Sequence, residues 1–267
     1  MRVTRVVPDE ELGGHKGIEP FVQHDSFKKL NAGFVLDEGL ATEGDAYKVY
    51  YNTRLVWWIR VTCSGTPGHG SVFVKDNAGE KMRRVIDSFL SLRDAEEKRL
   101  NSDSTLTIGD VTTVNLTKLS GGVQTNVVPD KLVAEFDMRV TPAVDADELL
   151  ARVKGWLKEA GEGVTAEFIQ YMKRNEPTSV SQDDPWWAAF SAVMDRMKLR
   201  YSTEVFCGST DSVFLRNMGY PCINFSPMIR TPVLLHDHNE FLNEKTFLTG
   251  VDIYEELIKS LANLPPS

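Results

Sequence analysis

The stretch LVWWIRVTCSG, residues 55–65, opens the most regular part of the chain and determines the fold class that the sequence predicts. Residues 55–63 are rich in Val, Ile and Trp, which predicts a strand ending at a Ser-Gly turn. In the segment after it, NAGEKMRRVIDSFLSLRDAEEKRL at residues 77–100, apolar residues recur at helical spacing. One face of this predicted helix carries Met82, Val85, Ile86, Phe89 and Leu92.

Four further elements complete this part of the chain. An alternating strand at residues 109–122 and another at residues 131–140 flank a turn at Pro129–Asp130. DADELLARVKGWLKEAG, residues 145–161, predicts a helix with an acidic cap and a terminating glycine, and VTAEFIQY, residues 164–171, a last strand. The order strand, helix, strand, strand, helix, strand is typical of the ferredoxin-like α+β unit. We therefore predict an inserted domain at residues 50–171.

The flanking segments, residues 1–49 and 172–267, have the mixed pattern of an α/β domain. They contain predicted strands at residues 2–7, 32–39 and 220–227 and predicted helices at residues 183–197 and 243–264. The first of these helices has Asp183 or Asp184 as its cap and Pro185 at its first position. The predicted architecture is one α/β domain interrupted by the inserted unit.

Composition and charge exclude several functional classes. The chain has 267 residues, 42% of them hydrophobic, which is enough for a sizeable core. A net charge of -8 without a block of Lys and Arg argues against nucleic-acid binding. No apolar run predicts a membrane span or a signal peptide. Three widely spaced cysteines, Cys63, Cys207 and Cys222, predict reduced thiols in a cytoplasmic protein.

Acidic pairs follow two of the predicted strands. Glu10 and Glu11 come after residues 2–7, and Asp37 and Glu38 end the stretch AGFVLDEG. The carboxyl ends of strands are where open α/β sheets place ligands. One carboxylate of such a pair could bind a cation while the other takes a proton from water. The alternative is that they are solvated surface acids.

LLHDHNE, residues 234–240, favours the metal interpretation. It brings two of the five histidines, two acids and an Asn into one loop. A set of His and two Glu suits zinc, and an open coordination position suits hydrolysis.

Three other polar residues lie in predicted turns or at a strand end of the inserted domain. His69 stands between glycines in SGTPGHGS, which otherwise reads as a Gly-rich hairpin. Asn126 follows another Gly-Gly turn. Arg139 ends a strand and offers a planar donor fork to a carboxylate, although taken by itself it favours a surface ion pair.

Seven stretches, in this order and spacing, resemble the zinc aminoacylase branch of the co-catalytic zinc metallopeptidases. They are VPDEELGGH, LDEG, GTPGHGS, GGVQTNVVP, FDMRV, PWWAAF and RTPVLLHDHNE. The resemblance extends over essentially the whole chain. It implies a three-layer α/β catalytic domain, an inserted lid and dimerisation domain, two zinc ions in a complete site, and hydrolysis of N-acyl-L-amino acids.

The resemblance also implies residue roles. Glu10 corresponds to the general base, and Glu11, Glu38 and His236 to zinc ligands. His69 corresponds to the lid histidine that polarises the scissile carbonyl in a partner subunit. Asn126 and Arg139 correspond to lid residues that position the substrate, Arg139 through the substrate carboxylate.

One part of the family pattern has no counterpart here. Members of the family carry an earlier His-x-Asp motif and a bridging Asp, whereas no histidine precedes His15. The sequence therefore predicts an N-terminally shortened chain with an incomplete metal site. The expected assembly is a homodimer through the lid domain. This leaves open a non-catalytic role, in which the lid pairs with another lid, including that of a full-length relative. A related metallohydrolase such as a dipeptidase is a third possibility.

Overall fold

The computed structural model describes residues 8–264 of the chain, so the strand predicted at residues 2–7 lies outside the described residues. The helices and strands, in chain order, are α1 (Ile18–Gln23), α2 (Asp25–Lys28), β1 (Val35–Asp37), β2 (Tyr47–Thr53), β3 (Leu55–Ser64), β4 (Gly68–His69), α3 (Ala78–Ser102), β5 (Thr113–Gly121), β6 (Val127–Val128), β7 (Lys131–Val140), α4 (Ala146–Ala160), β8 (Val164–Tyr171), α5 (Pro185–Arg196), β9 (Tyr201–Phe206), α6 (Ser212–Asn217), β10 (Cys222–Phe225) and α7 (Glu244–Ala262).

The chain divides into two compact units. The central unit is Arg54–Arg174, and the flanking unit combines the described residues before Arg54 with those from Asn175 onwards. The sequence predicted residues 50–171 for the inserted domain, so the predicted start lies within β2. Strand β2, which ends at Thr53, pairs with two strands of the flanking unit, so its residues belong to that sheet.

The central unit has the predicted ferredoxin-like topology. Its four-stranded antiparallel sheet has the order β5-β7-β3-β8, with the two long helices packed on it. The predicted apolar face of α3 is confirmed, because Met82, Val85, Phe89 and Leu92 are buried. Trp57 and Phe136 join the same core from the sheet. The alternation of β3 and β7 therefore buries one face of the sheet against the helices.

The loop after α3 is held by a nearly buried carboxylate, Glu96. Its side chain accepts a hydrogen bond from the Thr112 N–H at 2.7 Å and pairs with Arg99 at 2.9 Å. Burial by itself raises the pKa of Glu96, but the hydrogen bonds from Arg99 and Thr112 outweigh it and the net pKa lies below the usual value. A carboxyl whose pKa is lowered by folding stabilises the protein above its unfolded pKa, and this stabilisation disappears as the pH falls through the folded value.

We expect Glu96→Gln to lower the free energy of unfolding by about 1 kcal/mol at pH 7, since the Thr112 N–H and Arg99 lose a charged acceptor. At pH 3 the two proteins should differ much less, because Glu96 is then protonated in the unfolded wild type and increasingly so in the folded one. Denaturant titrations at both pH values measure this. An equal difference at pH 7 and pH 3 would contradict the assignment.

The flanking unit has a mixed four-stranded sheet in the order β1-β10-β2-β9. Strands β1 and β10 are parallel, as are β2 and β9, whereas β10 and β2 are antiparallel. The sequence predicted β1 and β10 but neither β2 nor β9. Helices α5 and α7 share an apolar core with this sheet, and α1, α2 and α6 contribute to a second apolar cluster. Asp184 caps α5 and Pro185 is its first residue, as predicted.

No helix within residues 8–264 is long and apolar enough to cross a membrane.

Candidate active site and metal centre

The Glu10–Glu11 pair lies in a tight turn of the flanking unit. Glu10–Leu12 form one turn of 3-10 helix, and left-handed residues precede and follow it, Asp9 at φ 60° and Gly13 and Gly14 at φ 96° and 68°. A Cβ on Gly14 would come within 2.7 Å of the Asp211 Oδ1 atom. Only glycine therefore allows this turn to approach the residues that begin α6.

The second acidic pair follows β1, as the sequence predicts. The Oδ2 atom of Asp37 accepts hydrogen bonds from the Thr210 hydroxyl at 2.8 Å, the Ser212 N–H at 3.0 Å and the Asn224 amide at 3.2 Å. Asn224 is the residue paired with Asp37 on the parallel neighbour β10. Three donors from two elements therefore fix the Asp37 carboxylate at the carboxyl end of the strand.

Glu38 lies beside this fixed carboxylate and shares a hydrogen bond with it. A hydrogen bond shared with Asp37, burial, and the negative charges of Asp37 and Glu10 raise the pKa of Glu38 to about 8. Burial, followed by the charges of Glu11 and Asp37, also raises the pKa of Glu10, against the opposing effect of His236. Glu10, Glu11 and Glu38 therefore occupy one region of strongly negative potential.

A further carboxylate, Asp211, belongs to the same region. Burial and the charges of Glu10, Asp37 and Asp9 raise the pKa of Asp211 to about 7. Its side chain is 7% exposed, and its Oδ2 atom has no hydrogen-bond partner. A buried carboxylate oxygen without a donor is costly. The Asp211 side chain thus lacks a positive or hydrogen-bonding partner among the described residues.

His236 supplies the imidazole of this region. It lies in the loop between β10 and α7 with φ 58°, a conformation that is uncommon for a residue with a side chain. Its Nε2 atom is 3.4 Å from the Glu11 Oε2 atom, and both side chains are more than 70% exposed. An ion pair so exposed contributes little to stability. The contact therefore shows that Glu11 and His236 lie next to each other, but it adds little to the stability of the fold.

The four residues predicted for this half of the site, Glu10, Glu11, Glu38 and His236, are brought together by the flanking unit. Across residues 8–264, however, no three His, Cys, Asp or Glu side chains converge closely enough to form a ready-made metal site. The Glu11–His236 pair is the nearest approach to a ligand set that the predicted residues make.

In the central unit, His69 and Asn126 are neighbours. Strand β4 pairs with β6, which places His69 opposite Val127. The Asn126 Nδ2 atom is 3.5 Å from the His69 Nε2 atom, and both side chains are exposed. The two predicted residues therefore present polar atoms to solvent from adjacent segments.

Arg139 is on a different strand, β7, and its donor fork is occupied. Its Nε and Nη2 atoms contact the two carboxylate oxygens of Asp137 at 2.7 and 3.0 Å. This is the bidentate geometry that a guanidinium adopts with a carboxylate. In this structure Asp137 is that carboxylate, so a substrate carboxylate would have to replace it.

Sequence reasoning missed Asp211 and its neighbours. The stretch GSTDSVF, residues 208–214, has the Ser, Thr and Asp that are typical of a helix start, which makes Asp211 look like an ordinary cap. Its side chain in fact makes no capping hydrogen bond. The signal that points to this region is the pairing of Asn224 with Asp37 across parallel strands. That pairing follows only from the order of strands in the sheet, which the sequence pattern does not contain.

An apolar cleft of about 260 Å³ adjoins the acidic region. Gly39, the residue after Glu38, and Leu235, the residue before His236, both line it. Met228, Val233, Phe241 and Leu242 contribute apolar surface.

Comparison with known proteins identifies close relatives of known name. The chain is 52% identical over 259 residues to aminoacylase-1A of Rattus norvegicus and 50% identical over 259 residues to aminoacylase-1 of Homo sapiens. Aminoacylase-1 of Dictyostelium discoideum is 42% identical over 270 residues. Each match covers 97% of this chain, but the chain spans only 64% of the rat and human proteins and 66% of the Dictyostelium protein.

Solved structures with low sequence identity share the fold. The M20 family metallo-carboxypeptidase Sso-CP2 of Sulfolobus solfataricus has a TM-score of 0.67 at 15% identity, over 96% of this chain and 69% of its own. The dipeptidase Dug1p of Saccharomyces cerevisiae has a TM-score of 0.65 at 14% identity, over 97% of this chain and 65% of its own. The family model described as "Peptidase dimerisation domain" matches residues 51–165.

These findings confirm the resemblance found in the sequence and the predicted fold class. The chain is a homologue of the aminoacylase-1 proteins and has the fold of the M20 metallopeptidase family, with a peptidase dimerisation domain as its central unit.

Proposed function

We propose that this chain is an amidohydrolase that cleaves N-acyl-L-amino acids to a carboxylate and the free amino acid, and that Glu11, Glu38 and His236 suffice for its metal although the His-x-Asp motif and the bridging Asp have no counterpart in this sequence. The observation that carries the proposal is the convergence of Glu10, Glu11, Glu38 and His236 in a protein half identical to aminoacylase-1. The apolar cleft beside Glu38 supports a substrate with an apolar group.

Zinc is the metal that the donor set favours. Two carboxylates and one imidazole, from Glu11, Glu38 and His236, suit zinc by ligand type. The buried Asp211 oxygen without a partner is consistent with a nearby cation that offsets the negative charge. Because no three ligands are preformed, zinc binding would draw Glu38 and the Glu11–His236 pair closer together. A bound zinc ion supplies Lewis-acid chemistry in such a site.

The remaining steps depend on side chains of this chain. Glu10 takes a proton from the attacking water and returns it to the leaving amine nitrogen. His69 of one subunit donates a hydrogen bond to the oxygen of the scissile carbonyl in the site of the other subunit as negative charge develops on it, and Asn126 helps to position the substrate there. Arg139 exchanges its contact with Asp137 for the carboxylate of the substrate.

The test is hydrolysis of an N-acetyl-L-amino acid by the purified chain with added zinc, beside its Glu10→Gln variant. We expect turnover that falls at least about 100-fold in the variant, because a general acid–base group contributes roughly that factor or more. Glu43→Gln is a matched control, since Glu43 lies close to Glu38 in the sequence but its side chain is exposed. No turnover by the wild type, equal turnover by wild type and Glu10→Gln, or faster cleavage of a dipeptide would contradict the proposal.

A second function is favoured because the central unit contains all the strands and helices of the predicted ferredoxin-like topology. We infer that the chain also serves as a dimerisation partner through this domain, for another copy or for a longer relative. Its outer strands, β5 and β8, each have one edge without a neighbouring strand among the described residues. Light scattering should give twice the 30.0 kDa mass of the chain. A monomer mass for the folded protein at micromolar concentration would count against this role.

The cytosol is the compartment that we propose. Cys63 and Cys222 are buried thiols outside any disulfide. Burial raises the pKa of the Cys63 thiol to about 11, so it stays protonated and unreactive. Free thiols of this kind are typical of proteins in a reducing compartment.

A further inference from the structure

The loop that carries His69 is anchored by its backbone. The Gly70 N–H donates to the Asn126 carbonyl at 2.8 Å, next to the two-residue pairing of β4 with β6. A Cβ on Gly70 would come within 3.3 Å of the same carbonyl, so the two segments approach closely. The backbone position of His69 relative to Asn126 is thereby fixed. The orientation of the imidazole ring is set by a different residue.

That residue is Ser71. The His69 Nδ1 atom is 3.2 Å from the Ser71 backbone N and 2.7 Å from the Ser71 Oγ atom. A backbone N–H can only donate, so Nδ1 must accept and must carry a lone pair instead of a hydrogen. If Nδ1 carried a hydrogen pointing at the hydroxyl, it would also face the Ser71 N–H. Both Ser71 groups therefore act as donors to Nδ1.

The consequence is a defined tautomer. A neutral imidazole has one hydrogen, and with Nδ1 accepting, that hydrogen is on Nε2. Nε2 lies 3.5 Å from the Asn126 amide nitrogen, which is itself a donor, so in this tautomer the two groups do not bond each other and both can donate to a ligand oxygen. The ring of His69 is exposed, so the Nε2–H group is accessible to a ligand oxygen.

We propose that Ser71 is a positioning residue that holds neutral His69 as the Nε2–H tautomer, which makes Nε2 a hydrogen-bond donor. The use of that donor on a substrate carbonyl rests on the proposed function, whereas the tautomer itself follows from contacts within the central unit. Ser71 touches no reacting atom and acts through the imidazole.

Two other histidines of the chain provide internal references. The His15 Nδ1 atom is 2.6 Å from the Glu19 carboxylate, which can only accept, so Nδ1 of His15 carries a hydrogen. The His24 Nδ1 atom accepts from the Ser26 backbone N–H at 3.1 Å, the same backbone arrangement as at His69. One spectrum therefore contains a reference for each tautomer.

The experiment is a long-range 1H–15N correlation spectrum of the whole chain labelled with 15N-histidine, recorded above the pH range in which histidine titrates. His69→Gln identifies the His69 signals. We expect Nδ1 of His69 to have the chemical shift of an unprotonated nitrogen, like that of His24 and unlike that of His15. In Ser71→Ala, loss of the hydroxyl bond should raise the share of the Nδ1–H tautomer about fivefold, from the usual strength of one hydrogen bond. Ser71→Thr keeps a hydroxyl and should restore the wild-type spectrum.

Several results would overturn the proposal. They are a protonated Nδ1 in wild-type His69, an unchanged tautomer ratio in Ser71→Ala, or a change in Ser71→Thr as large as that in Ser71→Ala. Circular dichroism and the unchanged His24 signals establish that each variant is folded. Because no metal or substrate is present, the tautomer result is independent of hydrolysis. A correct tautomer without turnover would count against the proposed function and leave this inference standing.

Discussion

Replacing Arg216 by Met is expected to lower the free energy of unfolding of the flanking unit by about 3–5 kcal/mol, the usual cost of removing one partner from a buried charged network. Arg216 is 2% exposed although it is an arginine. Its guanidinium donates to the Ser212 hydroxyl at 3.0 Å and the Cys222 carbonyl at 3.1 Å, and it also contacts the Asn224 side chain. In the variant, these buried acceptors lose a charged donor, although Thr178 still donates to the Cys222 carbonyl and Ser212 to the Asn224 side chain.

This network leads directly to the acidic region. Ser212 and Asn224, two of the residues that Arg216 contacts, both donate to Asp37. Burial lowers the pKa of Arg216, while the negative charge of Asp37 opposes that shift. Arg216 therefore holds Ser212 and Asn224, which in turn hold Asp37 at the end of β1. Its loss should weaken the hydrogen bonds at the end of β1 and destabilise the flanking unit as a whole.

Hydrogen exchange followed by mass spectrometry of peptic peptides measures this effect for each unit separately. Peptides from β1 and β10 should lose most of their protection in Arg216→Met, while peptides from β3 and β7 should not change. Arg196→Met is the matched control, because Arg196 makes an exposed ion pair with Glu256 and should cost less than about 1 kcal/mol. Equal losses in the two variants would contradict the role of Arg216.

Glu38→Gln is expected to have two opposite effects on stability. Without metal, it should raise the free energy of unfolding by about 1–2 kcal/mol, because it removes a carboxylate held against Asp37 and near Glu10. The glutamine amide can still donate to Asp37. With zinc at about 100 times its dissociation constant, the wild type should gain about 2.7 kcal/mol, and the variant should gain much less.

Thermal unfolding with chelator and with zinc measures both effects. Glu43→Gln changes the same charge at an exposed position and controls for net charge. If Glu38→Gln destabilised the metal-free protein, or responded to zinc as strongly as the wild type, Glu38 would not be part of the metal centre.

The sequence predicted the central unit well because its pattern is local. Helix α3 and strands β3 and β7 are long, and their apolar residues follow a clear period. Their order along the chain was enough to indicate the ferredoxin-like topology, which the sheet order β5-β7-β3-β8 confirms.

Long-range contacts account for what the sequence missed. Strand β2 pairs with β9, which lies far from it along the chain. Asp37 is fixed by Thr210, Ser212 and Asn224, more than 170 positions later in sequence. Such contacts follow from sheet order, which periodicity does not contain. The same applies to Asp211, whose importance depends on burial next to Glu10.

Motifs in the sequence picked out the candidate site residues, but not their local partners. Glu10, Glu11, Glu38 and His236 were selected from motifs, and the flanking unit does bring them into one region. The sequence left Arg139 between an ion pair and a ligand donor, and in the structure it pairs with Asp137. That pairing follows from two side chains on the same face of β7, two positions apart.

The most direct test of the metal centre is calorimetric titration of the metal-free chain with zinc, beside Glu11→Gln and His236→Gln. His15→Gln is the matched control, since His15 is an exposed histidine paired with Glu19 and outside the proposed ligand set. The account predicts zinc binding by the wild type and by His15→Gln, with at least about tenfold weaker binding in each of the other two variants. Binding that is absent from the wild type, or unaffected by Glu11→Gln and His236→Gln, would show that these residues do not form a metal centre in this chain.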